Sequence, residues 1–190
     1  MPLNLPNLLT WTRIIMIPML VLVFYVPDDW IPSHSRNIVA TAIFGLAAVT
    51  DWLDGYLARS LGQTSSFGAF LDPVADKLMV AAALIMLVKL GRVEAFIAVI
   101  IIGREIAISA LREWMAKIGG AKSVAVSFVG KLKTVSQMIA IVLLLYYDKL
   151  AMLDVYRVGK WLIYLAAILT LWSMVYYLRM ALPEVRKAQR

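Results

Sequence analysis

Six apolar stretches of roughly bilayer length, separated by short polar turns, leave this chain few ways to fold. They lie at 8–26, 37–59, 67–90, 93–117, 128–147 and 155–178. Each is close to the ~20 residues a helix needs to cross a hydrocarbon core. The connections carry turn signals: Pro27 and Pro32 around Asp28, Asp29 and Trp30, the polar run 62–66, Gly91, the Gly119-Gly120 pair, and the segment 148–154. Apolar side chains make up 62% of the 190 residues, which is outside the range of soluble globular domains. The expected fold is all-α: one polytopic membrane domain over 1–190 with six transmembrane helices. No internal repeat or low-complexity tract interrupts it.

Charge then limits the function. The net charge is +7, but the basic residues are scattered among apolar segments and form no contiguous arm, so nucleic acid is not the expected partner. Membrane lipids with anionic head groups and phosphorylated substrates suit that distribution better. There is no cysteine, so neither a disulfide nor a thiolate metal site is available. No Lys or Arg precedes the first apolar stretch and no small-residue cleavage pattern follows it, so no removable signal peptide is expected. Six spans put both termini on one side. Arg59, Arg112, Lys117, Lys122, Lys131, Lys133, Arg179, Arg186, Lys187 and Arg190 share that side, against the smaller set Arg36, Lys89, Arg92, Lys149, Arg157 and Lys160. The basic bias makes the first side cytoplasmic. Trp11, Trp30 and Trp161 fall near the expected interfaces, where aromatic rings act as anchors.

Against this apolar background four carboxylates stand out: Asp51 and Asp54 near the end of the second helix, Asp72 and Asp76 near the start of the third. A charge at the bilayer centre costs at least about 2.5 kcal/mol, so acids kept there face a cavity, a partner or an ion. Spacings of three and four residues put the members of each pair on one helix face. Arg59 and Lys77 are too few to neutralise four acids. All-oxygen ligation suits hard divalent cations, so a Mg2+ or Mn2+ site holding two ions is expected. A helix C-terminus disfavours acids, which adds to the need of Asp51 and Asp54 for a cation. Gly55, Ala58 and Gly68 remove bulk beside the acids and admit a large ligand.

Written out, the run is D-x-x-D-G-x-x-A-R, eight residues, then G-x-x-x-D-x-x-x-D, and every fixed position is filled between Asp51 and Asp76. It resembles the signature of the CDP-alcohol phosphotransferase family. The resemblance implies that an acceptor hydroxyl attacks the phosphate next to the lipid of CDP-diacylglycerol and releases CMP. It also implies that Asp51, Asp54 and Asp72 are metal ligands. Asp76 would be the general base, close to the same metals and counted with their ligands. Gly55, Ala58, Arg59 and Gly68 would form the nucleotide pocket, Arg59 pairing a phosphate, and a homodimer is implied as well. Ser65, just before Gly68, is a candidate donor to the diphosphate.

The opening segment from Asn4 to Arg13, with Pro18, is similar to a bacterial branch of that family whose acceptor is glycerol 3-phosphate. Gly103-Arg104-Glu105, Leu111-Arg112-Glu113, and Gly130, Lys131, Lys133, Thr134 and Gln137 are similar to the same branch. A dianionic acceptor needs fixed cations beside the metals, and Arg104, Arg112, Lys131 and Lys133 are the candidates. The alternative for the two arginines is pairing with acids such as Glu105 and Glu113 across helices. Glu105, adjacent to Arg104, is not expected to share its face. Arg13 either binds a donor phosphate or pairs with an acid. His34 is given no role, and the methionines and the Ala81-Ala82-Ala83 run read as packing surface. Other acceptors (inositol phosphate, serine or a phospholipid) would keep the chemistry. An ion-coupled transporter fits less well, because the acids cluster at one face and the helices show no inverted repeat. Prenyl transferases also hold a diphosphate with aspartates, but with different spacing and more helices. A lipid donor entering sideways and a soluble acceptor from the cytoplasm put the expected site near the cytoplasmic leaflet.

Overall fold

The computed structural model describes residues 5–61, 66–117, 128–149 and 153–188. Among them are six helices and no strand: α1 (Leu5–Val23), α2 (Ser33–Leu61), α3 (Ser66–Lys89), α4 (Ala95–Lys117), α5 (Phe128–Tyr146) and α6 (Val155–Ala188). Each apolar stretch is one helix. The starts of α5 and α6 coincide with those expected, whereas α2 begins at 33 rather than 37 and α6 runs to 188 rather than 178. Local chemistry explains the first difference. Pro32 is a good opening residue, and its carbonyl accepts from Arg36 N at 3.0 Å, so the helix starts before its apolar face does. α1 ends early because Phe24 N and Tyr25 N close tight turns on Val21 O (3.2 Å) and Leu22 O (2.9 Å) ahead of Pro27.

The helices pack as a closed ring in the spatial order α1, α2, α5, α6, α4, α3, with α3 also reaching α2 and α5. Phe44, Leu84, Ile101, Ile141 and Leu144 fill the centre, and Ala47, Ala83, Ala140 and Ala167 let the backbones approach. A Cβ added at Gly159 would lie 2.9 Å from Leu144 Cγ, so α6 rests directly on α5 there. The outside of the ring is apolar as well: Ile15, Leu22, Val99, Ile168 and Trp172 are exposed. Among the described residues the stretch Val155–Met180 is long and apolar enough to cross a membrane, and Leu8–Val23 and Leu132–Tyr146 are shorter apolar helices. In α2, α3 and α4 the acids and most bases gather toward one end, leaving uncharged stretches at 37–50, 78–88 and 95–103.

At the other end of the ring the chain reversals are tied by one arginine. Gly91 (φ 67°) lets α3 end in a left-handed cap, with Arg92 N donating to Leu87 O at 2.9 Å. Arg92 then donates from Nη1 to Leu144 O (3.0 Å) and Leu145 O (2.9 Å), carbonyls that the end of α5 leaves without helical donors. Its Nη2 donates to Asn37 Oδ1 at 2.7 Å, joining α2. The guanidinium also stacks 4.1 Å from the ring centroid of Tyr147, a non-glycine residue held at φ 63°. Burial lowers the pKa of Arg92 from its ordinary value. Asp148 accepts from Asn37 Nδ2 (3.3 Å) and contacts His34 Nδ1 (2.8 Å), so His34 has a structural partner in this cap.

Candidate active site

The acids are anchored from α1. Thr10 and Arg13, one turn apart, are buried, Arg13 to 1% exposure. Thr10 Oγ1 donates to Asp72 Oδ1 at 2.5 Å, and Arg13 Nη1 pairs with Asp51 Oδ1 at 2.9 Å. One helix face therefore ties an acid of α2 to an acid of α3. Arg13 takes the second of its two expected roles, pairing with an acid. Asp76, one turn beyond Asp72, lies within reach of the charges of Asp51, Arg13, Glu105 and Lys77. Gly68, one turn before Asp72, is buried.

Among the described residues no three acids gather into a single ligand cluster. Asp54, Gly55, Ala58 and Arg59 lie on α2, but only their helical backbone is described; the same holds for Lys131 on α5, and Ser65 lies outside the described residues. The donor set that is described fits a hard cation. Asp72 takes a neutral hydroxyl rather than a cation as its partner, and the side chain of Asp51 remains 44% exposed beside Arg13. These are carboxylate oxygens with capacity left for a metal.

A cavity of about 170 Å³ opens between α3, α4, α5 and α6, with Asp76 on its wall. Arg104, Arg112 and Lys133 line the same cavity, together with Lys77 and Glu105. Three of the four expected acceptor-binding cations thus come together beside the expected base. Their partners are specific. Lys133, 3% exposed, pairs with Glu105 from α4. Arg104, 7% exposed, donates from Nη2 to Ser173 Oγ at 2.8 Å, and that hydroxyl donates on to Thr170 O at 2.9 Å. Arg112 Nη2 donates to the Tyr177 hydroxyl at 3.0 Å, and the Tyr177 ring centroid lies 5.0 Å from Arg112 Cζ and 5.8 Å from Arg104 Cζ.

One expectation is corrected here. Glu105 does share the face of Arg104, with Nη1 and Oε1 3.5 Å apart, because both long side chains turn toward the cavity from adjacent positions. The alternative of acids across helices is not met among the described residues, where the cross-helix partners of the two arginines are the neutral Ser173 and Tyr177. Sequence reasoning passed over Thr10, Ser173 and Tyr177. The available signal was their helical spacing, polar pairs three or four residues apart inside apolar runs. On the residues lining the cavity, two buried polar atoms have no hydrogen-bond partner among the described residues: Arg104 Nε and Gln137 Oε1.

Acids held in pairs by α1, a basic cavity at their side and an all-helical ring agree with what comparison finds. Residues 3–172 match the CDP-alcohol phosphatidyltransferase family. The chain belongs to this family. It is similar to the CDP-diacylglycerol--glycerol-3-phosphate 3-phosphatidyltransferase of Shigella flexneri serotype 5b (strain 8401), 50% identical over 183 residues, 95% of this chain and 96% of that protein. The proteins of the same description from Sodalis glossinidius and Escherichia coli K12 are 51% and 49% identical, over 94% and 95% of this chain and 94% and 96% of theirs. Membership gives the Asp51 to Asp76 run and the ring around it an enzymatic rather than a transport setting.

Proposed function

We propose that this CDP-alcohol phosphatidyltransferase moves a phosphatidyl group from CDP-diacylglycerol to glycerol 3-phosphate, giving phosphatidylglycerophosphate and CMP. The observation that carries the acceptor is the charge of the cavity. Lys77, Arg104, Arg112 and Lys133 set four cations against the two acids Asp76 and Glu105, a surplus of two positive charges. A phosphate monoester dianion would balance it, whereas serine would leave it uncompensated. The similarity to the glycerol-3-phosphate transferases supports the same acceptor.

In this reading the hydroxyl oxygen of the acceptor forms a bond to the phosphorus that carries diacylglycerol, and the bond from that phosphorus to the oxygen of CMP breaks. CMP leaves with the electron pair. Asp76 takes the hydroxyl proton, and its place on the cavity wall supports this role. Asp51, Asp54, Asp72 and Asp76 would hold two Mg2+ or Mn2+ ions. When bound, these would neutralise charge on the diphosphate and the departing phosphate. Thr10 and Arg13 orient Asp72 and Asp51 for that task. Gly55, Ala58, Arg59, Ser65 and Gly68 would receive the nucleotide, and Lys131 would join the acceptor cations.

The protein is further read as a multi-pass cell-membrane homodimer whose single domain has six spans and cytoplasmic termini. Support comes from the apolar exterior and from helix length. α2 and α6, at 29 and 34 residues, are long enough to cross the core and carry their charges beyond it. The test is CMP release by purified protein given CDP-diacylglycerol, magnesium and one acceptor at a time. Release with glycerol 3-phosphate alone, abolished by chelation, is expected. Turnover with serine or inositol phosphate instead would overturn the acceptor, and CMP release unaffected by chelation would overturn the metal.

A further inference from the structure

The cavity beside Asp76 contains one group that neither the fold nor the phosphate requires. Gln137 on α5 is 4% exposed, lines the cavity and, among the described residues, leaves its side-chain oxygen buried without a hydrogen-bond partner. Leaving a buried acceptor unsatisfied costs about 1–3 kcal/mol, and a leucine of similar volume would avoid that cost. A glutamine retained there points to a ligand that completes it.

The neighbours define that ligand. Lys133 lies one turn before Gln137 on the same helix face, about 6 Å along the axis, and with Arg104 it forms the cationic side of the cavity. Among the described residues that line the cavity, Arg104 Nε is the other buried atom without a hydrogen-bond partner, a donor where Gln137 Oε1 is an acceptor. Among the described residues the cavity's lining thus offers an unpartnered donor on α4, an unpartnered acceptor on α5 one turn from Lys133, and a carboxylate at Asp76. A phosphate oxygen answers the first. A hydroxyl that does not react answers the second, since it can donate to Oε1 and also accept from the amide nitrogen. The reacting hydroxyl faces the third.

We propose that Gln137 determines specificity by binding the secondary hydroxyl of a three-carbon phosphorylated polyol, so that the enzyme selects its acceptor by the alcohol as well as by the phosphate. The proposal rests on the acceptor reading above and deepens it. A site built to hydrogen-bond a hydroxyl discriminates against an analogue lacking it, because its own polar atom is then left unpaired.

The experiment compares kcat/KM for glycerol 3-phosphate and for 3-hydroxypropyl phosphate, which lacks only the secondary hydroxyl, in the full-length enzyme with CDP-diacylglycerol. The wild type is expected to prefer glycerol 3-phosphate by about 30-fold or more. In Gln137→Leu the two acceptors come within about threefold of each other, with KM for CDP-diacylglycerol unchanged. A side chain that merely packs would lower both rates together and keep their ratio. Gln137→Asn, which withdraws the amide but keeps its polarity, gives an intermediate ratio and serves if the leucine variant does not fold. Equal use of both acceptors by the wild type, or a wild-type ratio in the variants, overturns this inference alone. Absence of turnover with either phosphate overturns the acceptor reading and this inference with it.

Discussion

Two buried arginines, one at the turn between α3 and α4 and one midway along α4, are satisfied in opposite ways. Arg92 spends its donors on the carbonyls of Leu144 and Leu145 and on Asn37, and its face is covered by Tyr147. Its charge is absorbed by helix ends, and it locks α2, α3 and α5 together. Arg104 has a hydroxyl, a shared acid and the ring of Tyr177, and among the described residues one of its donors is left without a partner beside a cavity. Its charge remains available. The difference teaches that burial of a cation says little about role, while the nature of its partners says much. Backbone carbonyls mark a structural arginine, whereas Arg104, which shares the acid Glu105 with Lys133 beside a cavity, is the one proposed to meet the acceptor phosphate.

The comparison can be broken at several points. The largest effect is expected at the reactive end: Asp76→Asn should reduce CMP release by about 10³-fold, with the thermal unfolding midpoint unchanged within error. Next, Arg104→Ala should raise KM for glycerol 3-phosphate by roughly 50-fold or more, leave KM for CDP-diacylglycerol alone and hardly change stability. Arg92→Ala should do the reverse, costing about 3 kcal/mol of stability while the folded fraction turns over at the normal rate. If Arg92→Ala raised KM for the acceptor, or Arg104→Ala mainly unfolded the protein, the contrast between the two arginines would collapse. The smallest effect sharpens it: Tyr177→Phe, which keeps the ring but loses the hydroxyl bonded to Arg112, should raise KM for glycerol 3-phosphate about fivefold at constant kcat, as steady-state kinetics would show.

Much of this was legible in the residues alone. Apolar length placed all six helices, and the fixed spacing from Asp51 to Asp76 located the acids at facing helix ends. Arg104 stood out because a cation inside an apolar run needs a reason, and Arg112 and Lys133 because a dianionic acceptor needs fixed cations and their segments resemble the branch that uses one. Helix boundaries were less legible at Ser33 and Ala188, because caps and propensity rather than hydropathy set where a helix begins and stops. The partners of the arginines were not legible. Ser173 and Tyr177 announce themselves as a polar pair on one face of α6, but only the spatial order of the ring shows that this face meets α4. Gln137, in the middle of α5, is named in the sequence only through the resemblance to that branch, and its place on the cavity wall shows only once its neighbours are known.

The bond between Arg104 and Ser173 spans 69 residues of sequence. At translation rates of about 5–20 residues per second, roughly 3–14 seconds pass between the synthesis of the two ends of that contact. During this interval the guanidinium on α4 has to be hydrated or held by something other than its final partner. The cavity beside Asp76, walled in part by Tyr177 of α6, therefore does not exist on the nascent chain and is completed only once α6 has left the ribosome.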